Sequence, residues 1–408
     1  MSIPNCRKLN RWKTNQTLRQ RVNPMRKACD DFIIIGGGLQ GCAIGMFLAR
    51  AGKQVTLIEK NLAGRHASGV NAGGLRLLIR DIREYPLSLR AMEMWKSLGD
   101  YVGDQAAKSC EVKLDTSQIA LAMDEAEMDW AFARARDMNR RGIDTEEVIG
   151  PEELHRLLPG LSRSALGGLI SRGDGHANPA NTARAVRNAA EVAGVRIVER
   201  CGLQTLTQRS SGGWSARTDN GVIEAEQVIN CAGAWGSEIA ASLGETMPVK
   251  VMALTMMVTA RVKHFVDPVV IGIDQPLSFK QSAVGSLVIG GGISGKPCLT
   301  EGTSFTIMDR MASSAAATTA AFPALAGVPV VRTWTGLEAS TPDGVPYIGP
   351  SRRHDGLWHV FGFCGHGFQI SPAVGEIVAQ SILTGTLDEK LVPFAVDRHE
   401  RHVMEASL

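Results

Sequence analysis

The chain has 408 residues, more than one hydrophobic core usually supports, which predicts two or three domains or one large α/β unit with an insertion. Hydrophobic residues make up 44% and charged residues 21%, ordinary usage for a globular chain, so fibrous, low-complexity and largely disordered classes are excluded. Formal net charge is +3, yet residues 1–29 carry eight Lys/Arg and no acid, leaving 36 basic against 41 acidic groups in a body that lacks the basic surplus of a nucleic-acid partner.

That basic start has no apolar core of the kind a secretory signal needs, and residues 1–30 are expected to be a disordered basic extension. Order is expected near Asp31. Phe32-Ile33-Ile34-Ile35 reads as a parallel strand covered on both faces, and Gly36-Gly37-Gly38-Leu39-Gln40-Gly41 follows as G-x-G-x-x-G. Cys42 to Ala51 then has helical spacing before Gly52, and the strand Gln54 to Ile58 leads into Glu59, 23 positions after Gly36. In such a βαβ opening Gly36 permits the turn, Gly38 lets backbone N–H groups approach a pyrophosphate, and Gly41 allows helix and strand to pack closely. Glu59 is expected to accept both ribose hydroxyls, which favours FAD or NAD over NADP.

Further along, Asn181 to Ala193 reads as a helix, Val195 to Val198 as a strand, Gly202 to Ala225 as hairpin-like, and Gln227 to Trp235 as a buried strand ending in a tight turn. From Val249 to Gly292, β-rich runs suggest an antiparallel sheet outside the nucleotide fold. The uncharged stretch from Met311 to Val331 contains Pro323 and Pro329 and is too weakly apolar for a membrane span. The eight cysteines form no Cys-x-x-Cys pair, so no metal or iron–sulfur site is predicted and reduced thiols in a cytoplasmic protein are expected.

The segment Gly64-Arg65-His66-Ala67-Ser68-Gly69-Val70-Asn71-Ala72-Gly73-Gly74-Leu75-Arg76 resembles the second flavin-binding stretch of the D-amino acid oxidase-like FAD enzymes, which include the glycine and sarcosine oxidases and the proline and hydroxyproline dehydrogenases. Trp334 to Gly349 and Gly362 to Ala373 agree with it, and the resemblance runs from about Asp31 to Gly385. It implies an α/β fold, with a discontinuous Rossmann-like FAD-binding domain (31–95, 160–245 and 331–390), an inserted antiparallel-sheet α+β substrate domain (96–159 and 246–330), and a C-terminal tail from 391 to 408.

The FAD contacts it implies fall on Gly36, Gly38, Leu39, Gln40, Gly41, Glu59, Lys60, Arg65, Ala67, Ser68, Asn71, Gly73, Gly74 and Leu75 in the first part of the chain. Ala232, Gly233 and Trp235 would close over the adenosine, and Gly365, Gly367, Phe368, Gln369 and Ile370 would face the flavin pyrimidine at a helix N-terminus. The cysteine that tethers FAD in the monomeric sarcosine oxidases aligns with Gly336, so that link is absent. His66-Ala67-Ser68-Gly69 matches the His-Ala-x-Gly turn that carries a histidine-linked flavin in relatives of dimethylglycine dehydrogenase; the alternative is a histidine merely nearby.

Glu338 stands where the glycine and D-amino acid oxidases place an arginine against the substrate carboxylate. Gly-Leu-Glu here, with Gly-His-Gly-Phe-Gln near the end, resembles a subgroup containing D-hydroxyproline dehydrogenases and the flavin-carrying β chains of opine oxidases. Glu338 then either pairs with a substrate guanidinium or bonds backbone or a protein arginine. Arg76, Arg80, Arg83 and Lys280 are candidates for the substrate carboxylate, and His366, Lys280 and Glu338 for cleft contacts.

The implied reaction is oxidation of the C–N bond of an amino or imino acid of the D-hydroxyproline, D-proline, sarcosine or opine type, by hydride transfer from the α-carbon to flavin N5. Two alternatives stay open: an FAD-dependent 2-hydroxy-acid dehydrogenase, and a flavin-binding subunit working with an α subunit, an iron–sulfur component or another electron carrier.

Overall fold

The computed structural model describes residues 29–290 and 292–399, so the basic extension expected over 1–30 lies almost wholly outside the described residues. The run Phe32 to Ile35 sits in the strand Asp30–Ile35, parallel to Val55–Glu59 on one side and to Gly221–Asn230 on the other. Burial on both faces is why this run does not alternate with polar residues. Arg196–Glu199 extends this first sheet beyond Val55–Glu59, while Leu357–Phe361 and then Tyr347–Pro350 extend it past Gly221–Asn230. The hairpin-like stretch is a meander, Leu203–Gln208 and Trp214–Thr218 folding back on Gly221–Asn230.

A second eight-stranded sheet runs Val330–Ser340, Lys250–Arg261, Ser286–Ile289, Ser278–Gln281, Val269–Gly272, Gln118–Ala122, Gly167–Ser171, Glu147–Ile149. All its pairs are antiparallel except Val269–Gly272 with Gln118–Ala122. Each sheet has its own apolar core. Ile34, Ala43, Met46, Trp95, Val374 and Phe394 belong to the first, Ile119, Ile170, Val270, Phe279, Ile289 and Phe322 to the second.

The expected domain segments need correction on four counts. Gly167–Ser171 and Val330–Ser340, placed by sequence in nucleotide segments, pair in the second sheet. Leu98, Tyr101, Val102 and Cys110, placed in the substrate segment, are buried in the first core. Leu391 and Phe394 lie in that core too, so the chain past 390 starts as a packed turn rather than a tail. The chain crosses between layers inside β-rich runs that carry no composition change, and a boundary drawn from composition misses such crossings.

The first helix, Leu39–Arg50, packs on the C-terminal helix, Gly367–Thr384, and the contact depends on small residues. A Cβ on Gly375 would lie 2.5 Å from Ala43 Cβ and 3.0 Å from Ala43 carbonyl carbon. Gly375→Val should therefore overpack this interface and lower the unfolding free energy by about 1–3 kcal/mol, read by denaturant melts of the holoprotein.

Candidate active site

The nucleotide turn is built from backbone that side chains would block. Gly36 has φ +109°, and a Cβ on it would meet Cys231 O at 2.4 Å; a Cβ on Gly41 would meet Gly36 O at 2.1 Å. Gly38 precedes the first helix, where Leu39 N–H donates to Ser68 Oγ at 3.0 Å and joins the turn to the second flavin-type segment. Glu59 is held by two backbone donors, Gly37 N–H to Oε2 and Asn61 N–H to Oε1, each at 2.8 Å. Each carboxylate oxygen keeps a lone pair, so Glu59 is aimed and still able to accept from a ribose.

A cavity opens from this turn toward the second sheet. It is lined by Gly36, Gly38, Leu39, Gln40, Glu59, Lys60, Arg65, Ala67, Ser68 and Asn71, by Ala232, Gly233 and Trp235, and by Gly365, Gly367 and Phe368. Leu337, Glu338 and Ala339 of the strand Val330–Ser340 close it from the other layer. The Asn71 amide donates to Ala67 O and Ser68 O, both at 2.9 Å, and its Oδ1 accepts from Gly73 N–H at 2.7 Å, which fixes the curve of the segment. Lys60 Nζ sits 3.2 Å from the Trp235 ring centre, and the indole N–H donates to Leu299 O at 3.1 Å, tying this end of the cavity to the loop of a separate two-stranded hairpin, Lys296–Cys298 with Thr303–Phe305. Gln40 Nε2 donates to Gly367 O at 2.8 Å, while its Oε1 is buried without a hydrogen-bond partner among the described residues. A cradle that a Cβ would fill, an aimed ribose acceptor and an orphaned buried acceptor together fit a bound dinucleotide.

Six of the expected contacts do not line this cavity. Gly41 serves helix packing, as its spacing implies, and Leu75 is fully buried in the first core. Gln369 and Ile370 are turned away because the C-terminal helix starts at Gly367, earlier than sequence suggests; Gln369 Nε2 donates to Ser88 O and its carbonyl accepts from Trp95 Nε1. Gly73 and Gly74 face the second sheet instead, a Cβ on Gly73 lying 3.1 Å from Lys280 Nζ and one on Gly74 3.3 Å from Gln118 Nε2.

Beside the cavity lies a buried charge cluster that the sequence only half reveals. His366 Nδ1 is 2.8 Å from Glu84 Oε2, off the line of a ring N–H, and Arg80 NH1 is 3.9 Å from the same oxygen. Burial, then the Arg80 charge, lowers the His366 pKa to about 4, so its ring is neutral near pH 7. Asp174 accepts from Leu77 and Leu78 N–H at 2.8 and 3.0 Å, and burial raises its pKa to about 6. Sequence does not point to Glu84 or Asp174; the one available signal is that Glu84 closes the charged run Arg76, Arg80, Asp81 and Arg83.

The four candidate cations separate clearly. Arg83 is committed to Asp81 and Asp343, and Arg80 is 2% exposed with Nε on Arg76 O. No hydrogen bond or ion pair among the described residues engages the Arg76 guanidinium, which keeps partial exposure. Lys280 Nζ donates to Ala177 O at 2.9 Å, and burial lowers its pKa to about 8, still protonated near neutrality. Glu338 Oε1 accepts from Gly365 N–H at 2.5 Å, the backbone alternative of the two weighed.

The chain is 28% identical over 381 residues to the beta subunit of a sarcosine oxidase from Rhizobium meliloti, covering 91% of this chain and 88% of that one. It is 24% identical to the B subunit of an opine oxidase from Rhizobium meliloti, over 92% and 99% of the two chains. The crystal structure of an L-proline dehydrogenase from P. horikoshii superposes with TM-score 0.83 at 26% identity, over 92% of this chain and 98% of that one. Glu59→Ala should weaken FAD binding tenfold or more, and Gly36→Ala should yield apoprotein, both read by flavin fluorescence titration. The family model of FAD dependent oxidoreductases matches residues 31–381, and the chain belongs to that family.

Proposed function

We propose that this enzyme oxidises the C–N bond of an amino or imino acid, of the D-hydroxyproline, D-proline, sarcosine or opine type. The observation that carries the reading is a dinucleotide cradle with two cations near its flanking segments: the guanidinium of Arg76, which has no hydrogen bond or ion pair among the described residues and lies within electrostatic reach of His366, and the buried ammonium of Lys280 against Gly73. Bound FAD supplies a hydride acceptor.

The chain's own residues do the rest. Arg76 and Lys280 hold the substrate carboxylate and so fix where the α-carbon lies. His366 stays a neutral ring, offering a hydrogen bond without repelling a bound cation. The apolar face of the second sheet, with Met252, Leu254 and Met256 on one side of the strand Lys250–Arg261, keeps water from the reacting centre. The N-terminal end of the helix Gly367–Thr384 reaches the cavity through Gly367 and Phe368 and favours negative charge there.

FAD is held without a covalent link in this reading. His66 Nε2 lies 3.4 Å from Asn61 Nδ2, whose backbone N–H donates to Glu59, and its ring is 5.0 Å from Trp235, so His66 stands by the expected ribose acceptor. At Gly336 a Cβ would meet Val70 Cγ2 at 2.2 Å, which leaves no room for a cysteine tether.

Two relatives are named as subunits of oxidases, which supports a partner subunit or an electron carrier as the destination of the electrons. Cytoplasmic residence accords with the seven described cysteines, all free thiols; among the described residues no helix is long and apolar enough to cross a membrane.

Anaerobic addition of D-hydroxyproline, D-proline, sarcosine, octopine and nopaline in turn should bleach the flavin absorbance with at least one. Arg76→Gln should then raise KM for that substrate by about 10–100-fold, the loss of a charge-assisted pair. Bleaching by 2-hydroxy acids alone would replace this reading with the hydroxy-acid alternative.

A further inference from the structure

Glu338 is a carboxylate without a countercharge in the wall of the cofactor cavity. On its own strand it stands between Leu337 and Ala339, and across the sheet its partner is Met252 of the strand Lys250–Arg261. Ala67 and Val70, from the helix Ala67–Val70, pack against the same strand at Gly336, and the turn Gly233–Trp235 touches it as well; none of these residues is charged. From the loop before the C-terminal helix come Gly365, whose N–H donates to Oε1, and the Cys364 thiol, which burial keeps protonated. No lysine, arginine or histidine forms an ion pair with Glu338 among the described residues, and Oε2 has no hydrogen-bond partner among them.

Glu338 is half-buried in the cavity wall, and a carboxylate partly withdrawn from water there is costly unless something neutralises it; no protein group does. Burial shows in its pKa, raised to about 7. A group poised there is ionised in a good fraction of molecules near neutrality and can also hold a proton. Gly365 links it directly to His366, and through His366 to the Glu84 and Arg80 cluster that neighbours Arg76.

We infer that Glu338 receives the protonated nitrogen of the substrate's reacting amine and takes its proton. The inference rests on the amino-acid reading above, with the carboxylate held by Arg76 and Lys280. An ammonium N–H bond breaks and an O–H bond forms on Glu338, leaving a neutral amine whose lone pair can become the C=N bond of an iminium (protonated imine) product as the α-hydride leaves to the acceptor that bound FAD would supply. Substrates with a cationic nitrogen are thereby selected over uncharged isosteres, the reverse of what an arginine at this position would select.

The test uses the FAD-loaded enzyme and two ligands of one shape that cannot be oxidised, 2-aminoisobutyrate and pivalate, titrated by the flavin absorbance change. At pH 8 the wild type should bind 2-aminoisobutyrate about tenfold or more tightly than pivalate, and the preference should fade below pH 7 as Glu338 gains its proton. Glu338→Gln keeps the Gly365 hydrogen bond, so it should retain FAD while losing the preference. Equal binding of the two ligands by the wild type, or an unchanged preference in Glu338→Gln, overturns the inference. If Glu338→Gln does not fold, the wild-type preference and its pH dependence decide alone. Bleaching by the amino acids above together with equal ligand binding would sink this assignment and leave the C–N reading standing; binding of neither ligand overturns the assignment.

Discussion

The structure depends on one close approach, backbone against backbone where the strand Asp30–Ile35 turns into the first helix. Gly36 meets the Cys231 carbonyl and Gly41 meets the Gly36 carbonyl at separations that exclude any Cβ. These contacts bring residues about 200 positions apart into one turn, since Cys231 ends the neighbouring strand Gly221–Asn230. Everything that recognises the dinucleotide is placed relative to that turn. Glu59 is oriented by Gly37 N–H, Ser68 is tied to Leu39 N–H, and Gln40 bridges to Gly367 at the head of the C-terminal helix. The cradle is mostly backbone and small side chains, which suits a ligand whose phosphates carry the charge.

Charge is distributed differently in the two layers. The cofactor side has Glu59 and Lys60, both spoken for by neighbours. Toward the second sheet stand Arg76, Lys280, Glu338 and His366, ionisable groups whose protein partners are few or none. Burial moves their pKa values in opposite directions, the Glu338 carboxyl up toward 7, Lys280 down toward 8 and His366 down toward 4, because it disfavours the charged form in every case. A ligand that supplies the complementary charges would offset these shifts, which is the physical basis of the proposed substrate site. Second-layer residues such as Asp174, which pins the Leu77–Leu78 backbone, hold the arginine-bearing segment in place without reaching the cleft.

How much of this the sequence reveals follows from how local each feature is. The βαβ opening is legible because its glycines, its apolar strand and Glu59 lie within thirty positions and obey one geometry. Most of the cavity-lining residues come from the same kind of contiguous segment. What escapes is set by tertiary register: the strand Val330–Ser340 belongs to the second sheet although its neighbours in sequence return to the first. Gln369 and Ile370 turn inward because the last helix begins at Gly367, so they lie within its first turn rather than ahead of it. Glu84 and Asp174 act through folding contacts with residues far along the chain, and no spacing rule encodes those.

In the proposed reading the junction between the two layers holds FAD through backbone and side-chain contacts alone. The most direct test is the flavin content of the purified chain before and after acid precipitation. One FAD per chain is expected, released entirely into the supernatant. Absence of flavin from protein refolded with excess FAD, or flavin remaining on the precipitated polypeptide, would contradict it.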